Sequence, residues 1–340
     1  MEFEFDEEDL QGLERVVALV GPTGVGKTEA SLEIARQLDA EIISVDSLQV
    51  YRKLDIGTAK LVDERRREVT HHLLDVVDPD EEFNAADYCR HAHAAIEEIR
   101  SRGKTALLVG GTGLYLRVLV HGIFDAPEPS EELRDKYARQ ADEKGRQFLH
   151  DRLREVDPEL ADKFHPNDLV RVTRALEVYD QTGKPLSEHQ REHRFQTPNY
   201  HALKIALIRP RQELYERINR RAQRMLEEGL MEEYKGLLKA GFDPGLKPLQ
   251  SLGYRQMGQV LENEMELDEA LEEMQKYTRR YAKQQISWFR GEPQVHWAMA
   301  PLLSDEGRLL EGVVEDLRQF VDGGMPALEW AQIEPYNVQR

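Results

Sequence analysis

Cysteine is almost missing from this chain: Cys89 is the only one among 340 residues. A single thiol excludes an intramolecular disulfide framework and any multi-cysteine zinc site, and it fits a reducing compartment. Long apolar runs are missing too, since no stretch approaches the ~20 residues that a membrane span requires. The acidic start MEFEFDEEDLQGLERVV lacks the basic flank and apolar run of a secretory signal. These absences lead us to expect a cytoplasmic protein with no membrane partner. Internal repeats and low-complexity tracts are also lacking. Positive charge is scarce: 46 Lys and Arg against 64 Asp and Glu leave a net charge of -18. Taken alone, that argues against nucleic acid as a partner.

The charge that is present is unevenly spread. Arg209, Arg211, Arg217, Arg220, Arg221 and Arg224 crowd one segment against Glu213 and Glu216, and Lys276, Arg279, Arg280, Lys283 and Arg290 occupy a second with no acid. Phosphate recognition is local, so two basic islands in an acidic chain carry more information than the total.

Short apolar runs alternate with helical patterns through the first third. RVVALVG (15–21), AEIISVD (40–46), HHLLDVV (71–77) and KTALLVGG (104–111) read as strands, with a helix from Lys27 to Leu38 and another from Asn84, a capping residue, to Arg102, stopped by Gly103. Such alternation implies an α/β fold with a doubly wound parallel sheet. From 126 to 199 the period becomes helical, with prolines at the joints (Pro127, Pro129, Pro158, Pro166, Pro185, Pro198) and a helix started by Asn167 or Asp168 and stopped near Gly183. We expect a helical insertion rather than a second independent domain. The chain thus divides into a core (13–125), the insertion (126–199), a second part of the core (200–300) with a strand at 202–210 and basic helices at 213–228, 232–239, 251–262 and 267–290, and a tail (301–340) of unassigned role.

GPTGVGKT (21–28) matches the phosphate-loop pattern G-x-x-x-x-G-K-[ST] and lies between a strand and a helix, as that loop requires. Gly21, Gly24 and Gly26 let the backbone wrap an anion, Lys27 adds a charge, and the Thr28 hydroxyl can ligate magnesium. The motif specifies a di- or triphosphate without saying which. A nucleotide kinase would hold magnesium with an acid on a neighbouring strand, but 104–111 ends in GGTG. Strand 40–46 does end in an acid, Asp46, suited to metal binding, to general base work, or to capping the next turn. DVVDPDEE (75–82) lacks paired aspartates and reads as a solvated loop.

GPTGVGKT, SVDSLQVY (44–51), DIGTAK (55–60), GGTGLYL (110–116), RALEVY with TGKPLSE (174–188), SLGYRQM (251–257) and YAKQQISWFR (281–290) together resemble the tRNA dimethylallyltransferases, also called tRNA isopentenyltransferases, in order along residues 15–291. The resemblance implies a P-loop NTPase-like core whose loop, Gly21, Pro22, Thr23, Gly24, Val25, Gly26, Lys27 and Thr28, holds dimethylallyl diphosphate, with Mg2+ on Thr28. It implies transfer of the dimethylallyl group to the exocyclic amine of the adenine immediately 3′ of the anticodon (position 37), in tRNAs reading codons that begin with U. Asp46 is then the general base, Thr112 lies in the reaction channel, and Arg221 faces the diphosphate. Asp46, Ser47, Leu48 and Gln49 would meet the target base and its neighbours. The insertion helix (Val170, Arg171, Val172, Thr173, Arg174), Tyr254, Arg255, Gln256, Lys276, Arg280 and Lys283 are the remaining candidates for contact with the anticodon stem-loop. A bacterial-type enzyme is expected, because the zinc-finger extension of eukaryotic relatives is not in the sequence; a monomer is expected as well.

The chemistry agrees. An aryl amine is a weak nucleophile, so the larger task is to stabilise charge on the departing diphosphate. Arg217, Arg221 and Arg224, spaced i, i+4, i+7, share a helical face that could do this or could pair with Glu213 and Glu216. The target base must be unstacked before reaction. Trp288 reads as core, and His71 and His72 as strand residues. Two departures from the family pattern stand out: Gly24-Val25 in place of Ala-Ser, and Gln284 in place of an arginine. Three other readings stay open. A phosphotransferase would turn over ATP without RNA, an adenylate dimethylallyltransferase would not need the insertion or basic islands, and a non-catalytic RNA-binding module would leave the phosphate loop and Asp46 unexplained.

Overall fold

The apolar runs lie side by side and all run parallel. β1 (Arg15–Val20), β2 (Ala40–Val45), β3 (His71–His72), β4 (Thr105–Gly110), β5 (His201–Ile208) and β6 (Val295–Met299) form one sheet in the order β3-β2-β4-β1-β5-β6. Val16 to Val20 and Ile205 to Ile208 are buried without a break, as strands covered on both faces must be. The structure, a computed structural model, describes residues 7–61, 63–122, 127–128, 130–193, 198–303, 309 and 312–333. Ala126 and Pro129, at the expected start of the insertion, lie outside these residues, as does much of the 301–340 tail.

Two strands differ from expectation. Within the sheet the run 71–77 pairs only at His71–His72, because Leu73 (φ 61°) and Asp75 (φ 57°) adopt the left-handed conformation and turn the chain away, leaving Val77 an isolated parallel bridge to Tyr51. Nor is the segment that follows simply a solvated loop. Asp75 accepts hydrogen bonds from the buried Lys60 Nζ at 2.6 Å and from Arg66 at 2.7 Å, which pins it to the 55–60 segment. β6, too short for its alternation to register in the sequence, adds to the outer edge of β5.

Helix boundaries follow the capping chemistry. Asn84 and Asp87 form a reciprocal capping box on Ala85–Ser101, and Gly103 (φ 71°) follows its end. Asp168, not Asn167, caps Leu169–Thr182, which stops at Gly183.

The chain separates into two compact units, residues 1–120 with 198–340, and residues 121–197. The second holds helices Glu131–Lys144, Arg146–Val156, Pro158–Lys163, Leu169–Thr182 and Leu186–His193. Its own core closes around Tyr137, Leu149, Leu153, Val172 and Leu176, all fully buried. The insertion therefore has more independence than the sequence suggested.

In the first unit, Lys204 of β5 lies buried with its Nζ 3.3 Å from the equally buried Glu292, whose other oxygen accepts from Arg117 at 2.8 Å. Removing the shared anion takes its counter-charge from a buried cation, and breaking a buried pair typically costs about 3 kcal/mol or more. Glu292→Ala should lower the urea midpoint accordingly. Burial already lowers the Lys204 pKa, so the folded state resists protonation there and stability of the variant rises with pH. Unfolding curves at pH 6 and pH 9 should show the larger deficit at pH 6.

Candidate active site

The register of the sheet assembles the site. Val20 of β1 is matched to Gly110 of β4, and Gly110 to Val45 of β2. The next residues therefore leave the carboxyl edge at one level: the phosphate loop, Gly111-Thr112, and Asp46. Parallel sheets place their ligand crevices at this edge. Here it opens into a cleft of about 1110 Å³ within the first unit, walled by the Arg211–Glu227 and Leu267–Arg290 helices.

Gly24 (φ 80°) and Gly26 (φ 108°) turn the loop so that the helix Lys27–Gln37 begins facing the cleft. Lys27 Nζ donates to the carbonyls of Gly21 (2.9 Å) and Pro22 (3.0 Å). Burial, with a smaller contribution from Arg221, lowers its pKa to about 7, against the opposing pull of Asp46. An arriving anion would reverse this shift. Thr23, Gly24, Gly26, Lys27 and Thr28 line the cleft, whereas Gly21, Pro22 and Val25 do not. The reasons are local. Gly21 is pressed against Leu207, Pro22 has no N–H to offer, and the Val25 side chain is buried in the core.

Asp46 faces this loop with its two oxygens divided. Oδ1 accepts the N–H groups of Leu48 (2.9 Å) and Gln49 (3.2 Å), which caps the turn, while Oδ2 has no protein donor among the described residues. Capping and base work thus coexist in one side chain. Thr112 Oγ1 accepts from Ser47 N–H at 3.1 Å and meets the Tyr281 hydroxyl. Tyr281 is 38% exposed, but its hydroxyl end sits inward, where burial and the Asp46 carboxylate push its pKa up to about 12. It is a neutral donor at ordinary pH.

The first basic island borders this cleft. Arg217, Arg220, Arg221 and Arg224 all line it. Arg217 Nε donates to the Gly24 carbonyl (2.8 Å), and Arg209 Nε to that of Val25 (2.7 Å). Arg221 lies near Asp46, with its pKa lowered chiefly by burial. Glu213 pairs with Arg209 and also acts electrostatically on Arg217, and Glu216 bonds Gln212; among the described residues neither forms an ion pair with Arg217, Arg221 or Arg224.

Of the RNA candidates, Ser47, Leu48, Gln49 and Arg255 line the cleft. Tyr254 and Gln256 are fully buried and bonded to Glu233 and to Gly253 N–H, so they brace the protein and have no face to offer RNA. Lys276 and Arg280 are exposed and, with Arg255, lie within 5.3–5.5 Å of the Tyr277 ring centre; Lys283 is half-buried. In the second unit Val170 and Arg171 are exposed and Thr173 half-buried. Val172 is core there, and Arg174 is held by Glu177 (2.7 Å) and the Pro127 carbonyl (2.8 Å), so packing and pairing remove both from the candidate surface. Trp288 is half-buried beneath Arg117, a packing residue as expected.

Sequence reasoning missed Tyr281, Gln285 and Thr58. Gln285 Oε1 accepts from Thr23 N–H (2.9 Å) and its Nε2 donates to the Gly111 carbonyl (3.0 Å), joining the phosphate loop to the end of β4. The signal was present, since Met274, Thr278, Tyr281 and Gln285 recur at helical spacing and all line the cleft.

Known proteins resemble this chain in sequence and fold. The IPP transferase family model matches residues 49–292. A tRNA dimethylallyltransferase of Syntrophobacter fumaroxidans is 50% identical over 282 residues, 83% of this chain and 82% of the relative. The chain belongs to the IPP transferase family, the tRNA dimethylallyltransferases. The crystal structure of the full-length tRNA isopentenylpyrophosphate transferase from Bacillus halodurans is 38% identical, with TM-score 0.65 over 91% of this chain and 96% of that one. A structure described as a eukaryotic dimethylallyltransferase acting on tRNA gives TM-score 0.77 at 28% identity, over 93% and 82%. The fold is the P-loop NTPase-like doubly wound sheet of these enzymes. Of the two expected departures from the family pattern, Gly24-Val25 is split, with Gly24 lining the cleft and Val25 buried in the core, and Gln284 is exposed outside the cleft.

If Lys27 is largely neutral at pH 8 in the free protein, a bound diphosphate should protonate it. Calorimetry of dimethylallyl diphosphate binding in buffers of different ionisation enthalpy should show proton uptake at pH 8, absent in Lys27→Met. Equal proton exchange in both proteins would place the uptake elsewhere.

Proposed function

We propose that this chain transfers the dimethylallyl group from dimethylallyl diphosphate to the exocyclic amine of adenine 37, immediately 3′ of the anticodon, in tRNAs reading codons that begin with U. The observation that supports this most is the meeting, in one cleft, of a phosphate loop, an arginine face only partly offset by carboxylates, and a carboxylate with one oxygen clear of protein donors among the described residues. The allylic C–O bond breaks with its electron pair leaving on the diphosphate. Lys27, Arg221 and the amides from Gly24 onward take up that charge. The amine forms the new C–N bond, and its proton passes to Asp46 Oδ2. Thr112 and the neutral Tyr281 hydroxyl form the wall beside that carboxylate.

Magnesium fits the donor set on one side. Among the described residues no group of three His, Cys, Asp or Glu could hold a metal. Thr28 is exposed at the cleft, so the ion would ride on diphosphate oxygens and water, with the Thr28 hydroxyl as a protein ligand. When bound, it would neutralise charge on the leaving group. The anticodon arm would engage the exposed Arg171, Lys276 and Arg280. Among the described residues no helix is long and apolar enough to cross a membrane, and the lone Cys89 is buried, which suits a cytoplasmic enzyme.

A phosphotransferase is less well supported, because β4 runs into Gly111-Thr112 with no acid for nucleotide-bound magnesium. Radiolabelled dimethylallyl diphosphate with magnesium should label unmodified tRNA and an anticodon stem-loop, but not AMP. Label on AMP alone, or ATP hydrolysis without transfer, would overturn the reading. Asp46→Ala should cut turnover by about 10²–10⁴-fold while leaving tRNA affinity nearly intact; lost tRNA binding with normal single-turnover chemistry would remove Asp46 as base. Arg221→Ala should act mainly through the donor, and unchanged donor affinity and turnover would take it out of the site.

A further inference from the structure

Two of the motifs, DIGTAK and SLGYRQM, have no part in the chemistry just described, yet they meet at one carboxylate. Glu233, on the helix Leu230–Lys239 and outside every motif, accepts the N–H groups of Asp55 (3.0 Å) and Ile56 (2.8 Å) on Oε2. Its Oε1 accepts Gly57 N–H (3.1 Å) and the Tyr254 hydroxyl (2.6 Å). Three successive backbone amides converging on an anion form a nest, the arrangement proteins use to seize phosphates, here filled by the protein's own side chain. The Tyr254 ring closes over it so tightly that a Cβ on Gly57 would lie 2.5 Å from ring carbons.

What the nest holds is the next residue. The Thr58 carbonyl accepts Gln49 Nε2 at 3.1 Å and lies 3.5 Å from Arg221 Nη2, a long contact. Ser44 Oγ donates to Gln49 Oε1 at 3.2 Å. The Gln49 amide is therefore oriented from both ends, with one further donor hydrogen and one further lone pair free, the pair of groups that can read an adenine edge.

We infer that Glu233 is a positioning residue: through the 55–57 nest it fixes the Thr58 carbonyl, which orients Gln49 toward the target base and steadies Arg221 at the donor. This rests on the proposed transfer to an adenine. Without the carboxylate, three amides and a buried tyrosine hydroxyl lose their acceptor together, and the loop must move to find water. Misplacement of about 1 Å at a remote support can cost about 10²-fold in rate.

The experiment compares wild type, Glu233→Ala, Gln49→Ala and the double variant in kcat and KM for an anticodon stem-loop, alongside circular dichroism and pyrophosphate affinity. Glu233→Ala should remain folded and lose about 10²-fold in kcat/KM. Its loss should be strongly non-additive with Gln49→Ala, but additive with Lys276→Ala, which lies outside the chain of contacts. Pyrophosphate affinity should weaken several-fold through Arg221. Unchanged kcat/KM in a folded Glu233→Ala, or losses that simply multiply with Gln49→Ala, would overturn the inference. Should that variant not fold, Tyr254→Phe removes a single bond to the carboxylate and should show a few-fold loss in the same direction; wild-type kinetics would be as damaging. Wild type that transfers nothing would instead strike the proposed function, and the clamp would then stand or fall on pyrophosphate affinity alone.

Discussion

The matched ends of three parallel strands are the constraint on which this site depends. Val20, Gly110 and Val45 share one level of the sheet, so a loop, a turn and an aspartate that are far apart in sequence emerge as neighbours. A shift of register by one residue would turn alternate side chains over and move these exits past one another. The Gly111 and Thr112 N–H groups both donate to the Val45 carbonyl at 3.1 Å, tying the end of β4 to the residue before Asp46. Geometry fine enough for proton transfer is thus inherited from backbone pairing, not from side-chain adjustment.

Charge is the second constraint. The protein as a whole is acidic, yet its cleft gathers Lys27, Arg217, Arg220, Arg221 and Arg224. Crowding and burial make several of these cations costly to hold: the Lys27, Arg217 and Arg221 pKa values are all lowered. Asp46 offsets part of that cost at Lys27 and Arg221. A cleft short of counter-charge is poised for an anion. Against that acidic surface, Arg171, Lys276 and Arg280 stand out as exposed cations.

The Leu267–Arg290 helix links these two constraints. One of its faces contributes Met274, Thr278, Tyr281 and Gln285 to the cleft, and Gln285 spans from the phosphate loop to the end of β4. Glu233 holds residues 55–57 through their backbone amides. The walls of the cleft are thus fixed in part by a side-chain amide and a carboxylate that bond to backbone, in keeping with the need to hold a constellation within fractions of an ångström.

The sequence by itself determined the parallel sheet, the phosphate loop, Asp46 and the arginine face, because each is written in local spacing: apolar runs, glycines before a lysine, an acid at a strand end, cations at i, i+4, i+7. The helix caps at Asn84 and Asp168 were legible for the same reason. Tertiary structure alone decided which of the motif residues reach the cleft. Tyr254 and Gln256 sit in a motif beside Arg255 yet are buried, and Val172 and Arg174 were drawn inward by a core and by Glu177, since the direction a helical side chain faces depends on what packs against it. The short third strand reflects left-handed residues at Leu73 and Asp75 that no propensity announces, and β6 needed the edge of β5 to become a strand. Glu233 was invisible for a deeper reason. Its backbone partners lie 176–178 positions away, and an acceptor that serves backbone amides leaves no pattern in the side chains it holds.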